Sequence, residues 1–144
     1  MTLRYLLDTG IVSSPASKVP QPEIVKRLER HGQECAIAAP VWHELTFGWR
    51  RLPAGKRKDA LEAYLREVVR ALFPILPYDE AAASWHGAER ARLEASGRPV
   101  PYVDAQIAAV AHASGLVLVT LNAADFSRFK DLEVEDWSKR RARS

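Results

Sequence analysis

The chain has 144 residues, 47% of them hydrophobic, with one cysteine and a formal net charge of +3 at neutral pH. That length supports one domain with a genuine core and is short for two. A single cysteine excludes an intramolecular disulfide and any cysteine-built zinc cluster, and the modest charge permits a polyanionic partner without demanding one. No stretch reaches the roughly 20 apolar residues that a membrane span needs, and Met1-Thr2-Leu3-Arg4-Tyr5 lacks a basic head before a long apolar core. The expectation is a soluble, unprocessed cytoplasmic protein forming one unit over residues 1–144, with a basic tail from about 138.

In chain order, the apolar run ending at Leu6-Leu7 predicts a buried strand near 3–8, followed by a Pro/Ser-rich loop near 13–22. A helix over about 23–31, a strand near 35–39 starting at Cys35, and a helix over about 40–51 come next, the last with Pro40 suited to its first turn. Leu61, Tyr64, Leu65, Val68 and Leu72 fall at helical spacing and predict a longer helix over 56–72, after which a short strand near 73–76 is marked by prolines. Asp79 reads as the N-cap of a helix reaching about Ala95. Gly97-Arg98-Pro99-Val100-Pro101 then leads rigidly to a helix beginning near Asp104, and strands near 116–119 and 132–134 finish the chain. Strands alternating with helices predict an α/β domain with a mainly parallel sheet.

Four acids stand at the edges of these hydrophobic segments. Asp8 ends the first strand, at the edge where open α/β sheets bind ligands. Glu44 lies near a helix start, Asp104 in the first turn before the small-residue stripe Ile107, Ala108, Ala111 and His112, and Asp125 just after the apolar run 116–119. Brought together, four carboxylates repel one another unless protons or cations compensate. A hard, oxygen-seeking Mg2+ or Mn2+ suits an all-carboxylate set, and one or two such ions activate water against a phosphodiester. Thr120 and Asn122, just beyond the apolar run, offer a hydroxyl and an amide to orient a carboxylate.

Each acid also has a plainer reading. Asp8 and Asp104 can serve as caps, Asp125 can close an Asx turn, and Glu44 can face solvent on its helix. Asp79, Glu89, Asp131 and Asp136 are better explained by capping or solvation. His31, His43, His86 and His112 show no zinc-protease spacing, and His43 and His86 read as surface or packing residues. Arg50, Arg51, Lys56, Arg57 and Lys58 cluster around one loop, and Lys139, Arg140, Arg141 and Arg143 form the tail; either set can neutralise phosphates or simply be solvated. Leu6-Leu7-Asp8-Thr9-Gly10 matches the apolar-apolar-Asp-Thr-Gly signature of aspartic proteases, but that chemistry needs a second such loop and an all-β frame.

In order along the chain, Leu6-Leu7-Asp8-Thr9, Val41-Trp42-His43-Glu44-Leu45, Gly97-Arg98-Pro99 leading to Asp104-Ala105-Gln106-Ile107-Ala108-Ala109, and Thr120-Leu121-Asn122-Ala123-Ala124-Asp125-Phe126 resemble the PIN-domain ribonucleases. More narrowly they resemble the VapC-like toxins of type II toxin–antitoxin pairs. The resemblance spans about residue 3 to Trp137. It implies a three-layer α/β/α sandwich whose acidic pocket binds Mg2+ or Mn2+ and cleaves RNA, with Asp8, Glu44 and Asp104 as the core acids, Asp125 a fourth, and Thr120 and Asn122 in support. It also implies a homodimer inhibited by a small VapB-like antitoxin whose other end binds operator DNA. One departure stands out: Gly10 replaces the polar residue that often follows Asp-Thr in the family, removing a hydrogen bond and permitting backbone conformations closed to other residues. A catalytically inert PIN-like scaffold for RNA or protein is the alternative.

Overall fold

The strand edge that carries Asp8 lies at the centre of the sheet. A computed structural model describes residues 2–139 and contains five strands, β1 Tyr5–Leu7, β2 Cys35–Ala38, β3 Ile75–Leu76, β4 Val117–Val119 and β5 Val134–Glu135. They form one sheet in the order β3-β2-β1-β4-β5, every pair parallel. The helices are α1 Thr9–Ser13, α2 Pro22–His31, α3 Ala39–Arg50, α4 Lys56–Tyr64, α5 Arg70–Leu72, α6 Glu80–Ala95, α7 Tyr102–Ser114 and α8 Ala123–Phe126. Parallel strands require crossovers, and the right-handed crossover sends the helices after β1 and β2 to one face and those after β3 and β4 to the other. The result is the expected α/β/α sandwich.

This order places a topological switch between β1 and β4, because the chain leaves their C-terminal ends in opposite directions. The central strands read as continuous apolar runs because both faces are covered: Leu6, Leu7, Ile37, Leu118 and Val119 are fully buried. On α7 the small residues Ala105, Ala108, Ala109 and Ala111 are buried beside Ile107, as the stripe predicts. Each fully buried Leu or Ile contributes about 2 kcal/mol of transfer free energy. Local signals fix the ends: Pro22 and Pro40 sit in first helical turns, and Asp79 accepts from the Ala82 N–H at 3.0 Å. Gly115 closes α7 at φ 67°, a left-handed position that a side chain would resist.

Several boundaries differ from expectation. The stretch after β1 is not all loop: α1 and a 3-10 turn over Ser14–Ala16 precede the irregular segment. The helix predicted over 56–72 is interrupted by a π-helical turn at Leu65–Val69, closed by the Arg70 N–H donating to the Leu65 carbonyl. Leu65 and Val69 are buried there, and Tyr64, just before the turn, donates its hydroxyl to the Val12 carbonyl at 2.6 Å. The helix expected to begin near Asp104 begins at Tyr102, and the last strand is Val134–Glu135. Cys35 is buried at the start of β2, with its thiol pushed up to about 12 by burial and then by Glu34. Trp137 is buried against Tyr5 and His31, and Trp85 stacks on His112 at 4.5 Å, both in packing roles. In the basic tail Lys139 accepts at its carbonyl from Arg27 at 2.7 Å; Arg140, Arg141 and Arg143 lie outside the described residues.

Glu89 corrects the sequence reading outright, because it is only 6% exposed rather than solvated. Arg92 grips it with two hydrogen bonds, at 2.7 and 2.9 Å, the Lys130 N–H adds a third at 2.8 Å, and Arg92 also donates to the Arg128 carbonyl at 2.9 Å. The clamp ties α6 to the segment that follows α8. The Arg92 hydrogen bonds, aided by the Lys130 N–H and opposed by burial, hold the Glu89 carboxyl below its ordinary 4.5. A lowered folded-state value stabilises the fold above 4.5 and loses that contribution as pH falls through the folded value. Glu89→Ala is expected to cost about 2 kcal/mol at pH 7. The gap between it and the unaltered protein in urea unfolding should narrow below pH 4.5; a gap that stays constant to pH 3 contradicts the clamp.

Candidate functional site

Asp8 is fixed from three directions at the tip of β1. Its backbone N–H donates to the Val119 carbonyl at 2.8 Å, extending the β1–β4 ladder by one bond. As N-cap of α1 it accepts at Oδ1 from the Thr9 N–H at 2.8 Å, and at Oδ2 from the Thr120 hydroxyl, also at 2.8 Å. Thr120 is fully buried, and its Oγ1 in turn accepts from the Asn122 N–H at 3.1 Å. The result is a relay from Asn122 through Thr120 to Asp8, in which each bond polarises the next. Asn122 takes part through its main chain, and its side chain is at the surface.

The other acids arrive on helices. Glu44 is on α3, Asp125 on α8, and Asp104 in the first turn of α7, where the helix dipole favours a negative charge. Pro101 holds the N-cap position of α7 and no side-chain capping bond is made there, so Asp104 is not a conventional cap. The Asp104 carboxyl is pushed upward by burial, then by the charges of Asp8 and Asp125. Glu44 is also pushed upward, by desolvation of its carboxyl, then by Asp8, and further by Asp104, while the nearby Thr9 hydroxyl favours ionisation. As a residue Glu44 is exposed, so water screening limits what that displacement is worth. The Thr9 hydroxyl is itself buried and makes no well-formed hydrogen bond, which places its influence on Glu44 at longer range. These mutual influences put all four predicted acids in one electrostatic field.

Such a field is short of positive charge, and its donors are hard oxygens. Among the described residues no three His, Cys, Asp or Glu side chains converge tightly enough to cage an ion alone. Mg2+ seldom needs such a cage: it keeps several waters and binds through one or two carboxylates. Asp8, oriented by two donors, and Asp104 and Glu44, repelled by its charge, fit an ion held in that manner.

The surroundings are lopsided. A hollow of about 520 Å3 beside Thr9 and Glu44 also takes in Arg51 and Arg57 from the basic cluster, with Phe47. Arg51 lies 5.2 Å from the centre of the Phe47 ring, and Arg50 lies 4.2 Å from that of Trp49. Across Glu44 a second hollow of about 360 Å3 is lined by His43, Tyr78 and Gln106. His43 is exposed on α3, as expected, whereas His86 is buried and shares a 2.7 Å hydrogen bond with the Tyr78 hydroxyl. Sequence reasoning missed Tyr78 and Gln106; an amide inside the apolar stretch Ala105–Ala111 was the available signal. Gly10 has an ordinary explanation: it lies within α1, not in a left-handed conformation, and a Cβ there would sit 3.1 Å from the Leu121 Cδ1.

Comparison with known proteins gives the arrangement a family. The PIN domain model matches residues 5–132. The tRNA(fMet)-specific endonuclease VapC of Shigella flexneri is 32% identical over 137 residues, covering 94% of this chain and 99% of the relative. Among solved structures, FitAcB from Neisseria gonorrhoeae superposes with a TM-score of 0.83 at 29% identity, covering 90% of this chain and 95% of the other. VapBC2 from Rickettsia felis bound to a DNA fragment from their promoter gives 0.80 at 27%, covering 95% and 99%. With acids at the switch point of a five-stranded parallel sheet, and relatives matching nearly its whole length, the chain belongs to the PIN-domain family, among its VapC-like members.

Proposed function

We propose that this chain, a single PIN-like unit, is a metal-dependent endoribonuclease that hydrolyses RNA phosphodiester bonds as the toxin of a type II toxin–antitoxin pair. The observation that carries the reading is the doubly anchored Asp8 carboxylate beside Glu44 and Asp104, whose carboxyls are pushed upward by burial first and then by the Asp8 charge. Mg2+ or Mn2+ is the cofactor, with Asp8, Glu44, Asp104 and Asp125 as its ligand set. When bound, such an ion supplies charge stabilisation at the phosphoryl group and lowers the pKa of water.

The protein's own groups do the positioning. Thr120 and the Thr9 N–H hold Asp8 in one orientation, so the carboxylate need not reorganise when a cation or phosphate arrives. Arg51 and Arg57 neutralise the RNA backbone on one side of Glu44. The toxin role and a VapB-like antitoxin are supported by the VapBC complex among the similar structures; a homodimer, contact with DNA only through the antitoxin and a cytoplasmic location belong to the same proposal.

Purified protein should cut a mixed RNA pool into discrete fragments with Mg2+ or Mn2+ and leave it intact with chelator. Asp8→Asn and Asp104→Asn should each abolish cleavage, and an unchanged rate in either removes that residue from the site. Thr120→Val keeps the shape and deletes the donor to Asp8, so cleavage should fall roughly 10- to 100-fold, with more metal needed for half-maximal rate. An unaltered metal requirement would detach Thr120 from the ligand set. The openness of the acidic group favours one other reading, an inert scaffold. Calorimetric titration with Mn2+ separates the two, since a scaffold shows no binding lost in Asp104→Asn.

A further inference from the structure

Glu44 divides two hollows of opposite chemistry. The larger carries Arg51 and Arg57 with Phe47, which is 58% exposed, and suits a phosphate-bearing strand. The other, about 360 Å3, is lined by Pro40, His43, Glu44, Tyr78, Val103 and Gln106 and has no lysine or arginine in its wall. A phosphate placed there would find no lysine or arginine to offset its charge, a penalty that the arginine-lined hollow removes. A flat neutral group with polar edges meets no such penalty.

The wall has the features that such a group needs. Tyr78 is held by its 2.7 Å hydrogen bond to Nδ1 of His86, whose ring is 3% exposed, lies 5.0 Å from the Tyr102 ring, and is kept toward neutrality by burial and then by Arg90. Val103, 40% exposed, adds apolar surface. Gln106 is half-buried, and no hydrogen bond of its amide is found among the described residues, which leaves a donor and an acceptor side by side at the wall. Unstacked RNA bases present paired donors and acceptors on their Watson–Crick and Hoogsteen edges, and a glutamine amide matches such a pair in bidentate fashion.

We propose that this hollow, without lysine or arginine in its wall, receives one nucleobase adjoining the cleaved linkage and that Gln106 reads its hydrogen-bonding edge. The assignment rests on the ribonuclease reading above and names a specificity residue within it. Phosphates run through the arginine-lined hollow, the base turns into the other, and Glu44 stands where the two meet.

The test is cleavage of a randomised single-stranded RNA pool by the unaltered protein, Gln106→Leu and Gln106→Glu, with the new ends sequenced. The unaltered protein should enrich one base at one position beside the cut by roughly tenfold. Gln106→Leu should still cut but lose that enrichment, and Gln106→Glu, which only accepts, should move it toward bases whose edge donates. Identical enrichment in all three overturns the proposal. A second measurement needs no cleavage: NMR of the full chain with the four free nucleosides, which carry no phosphate. The Gln106 side-chain amide should shift with at least one; no shift with any of the four overturns the proposal. Nucleoside shifts without RNA cleavage would retain the base site and sink the nuclease reading, whereas cleavage with neither preference nor shift would do the reverse.

Discussion

The hydrogen bond from the Thr120 hydroxyl to Asp8 joins two residues 112 positions apart, and the architecture of the site depends on it. Thr120 is the first residue beyond β4, and Asp8 the first beyond β1; the two strands pair in register from Tyr5 with Val117 to Leu7 with Val119. A slip of one residue would turn every buried side chain on β1 to the other face of the sheet, so the apolar contacts of Leu6 and Leu7 defend the alignment of the polar pair above them. Strand packing supplies the stability, and the alignment it enforces supplies the site.

Around that junction the molecule separates charge by element. The strands β1 to β4 carry none, the acids enter from a strand end and helices, and Arg51 and Arg57 enter from the α3–α4 connection and the start of α4. Glu44 is exposed on α3, as Asp125 is on α8, and it borders both hollows. The clamp of Glu89 with Arg92 works at a distance, fastening the chain just after α8 and so restricting where Asp125 can travel. A carboxylate in a salt bridge thereby helps to locate one that has none among the described residues.

Much of this was legible in the sequence because the signals were local. Leu6-Leu7 and the run 116–119 are apolar on both faces, so the buried strands could be read directly; Asp8 stands at its strand tip and Asp104 in a first helical turn as expected, whereas Glu44 is in the second turn of α3 and Asp125 on the short helix α8. What escaped was short or nonlocal. Helices α1 and α8 have five and four residues, too few for a periodic pattern to emerge. The burial of Glu89 depends on a main-chain N–H 41 residues away, and the hollow around Gln106 depends on α3, α7 and Tyr78, two residues before α6, meeting in space. The glycine at position 10 suggested unusual backbone, whereas the structure shows ordinary helix there with the Leu121 side chain close by, a neighbour invisible to any local rule.

The central position of β1 has a consequence for how the protein comes into being. Its sheet partners are made later, β2 about thirty residues on and β4 more than a hundred. During synthesis β1 can pair on one side early, but its other edge and the second oxygen of Asp8 wait until residue 120 has been translated and released. The Thr120 side of the Asp8 anchor is therefore completed only once residue 120 is in place.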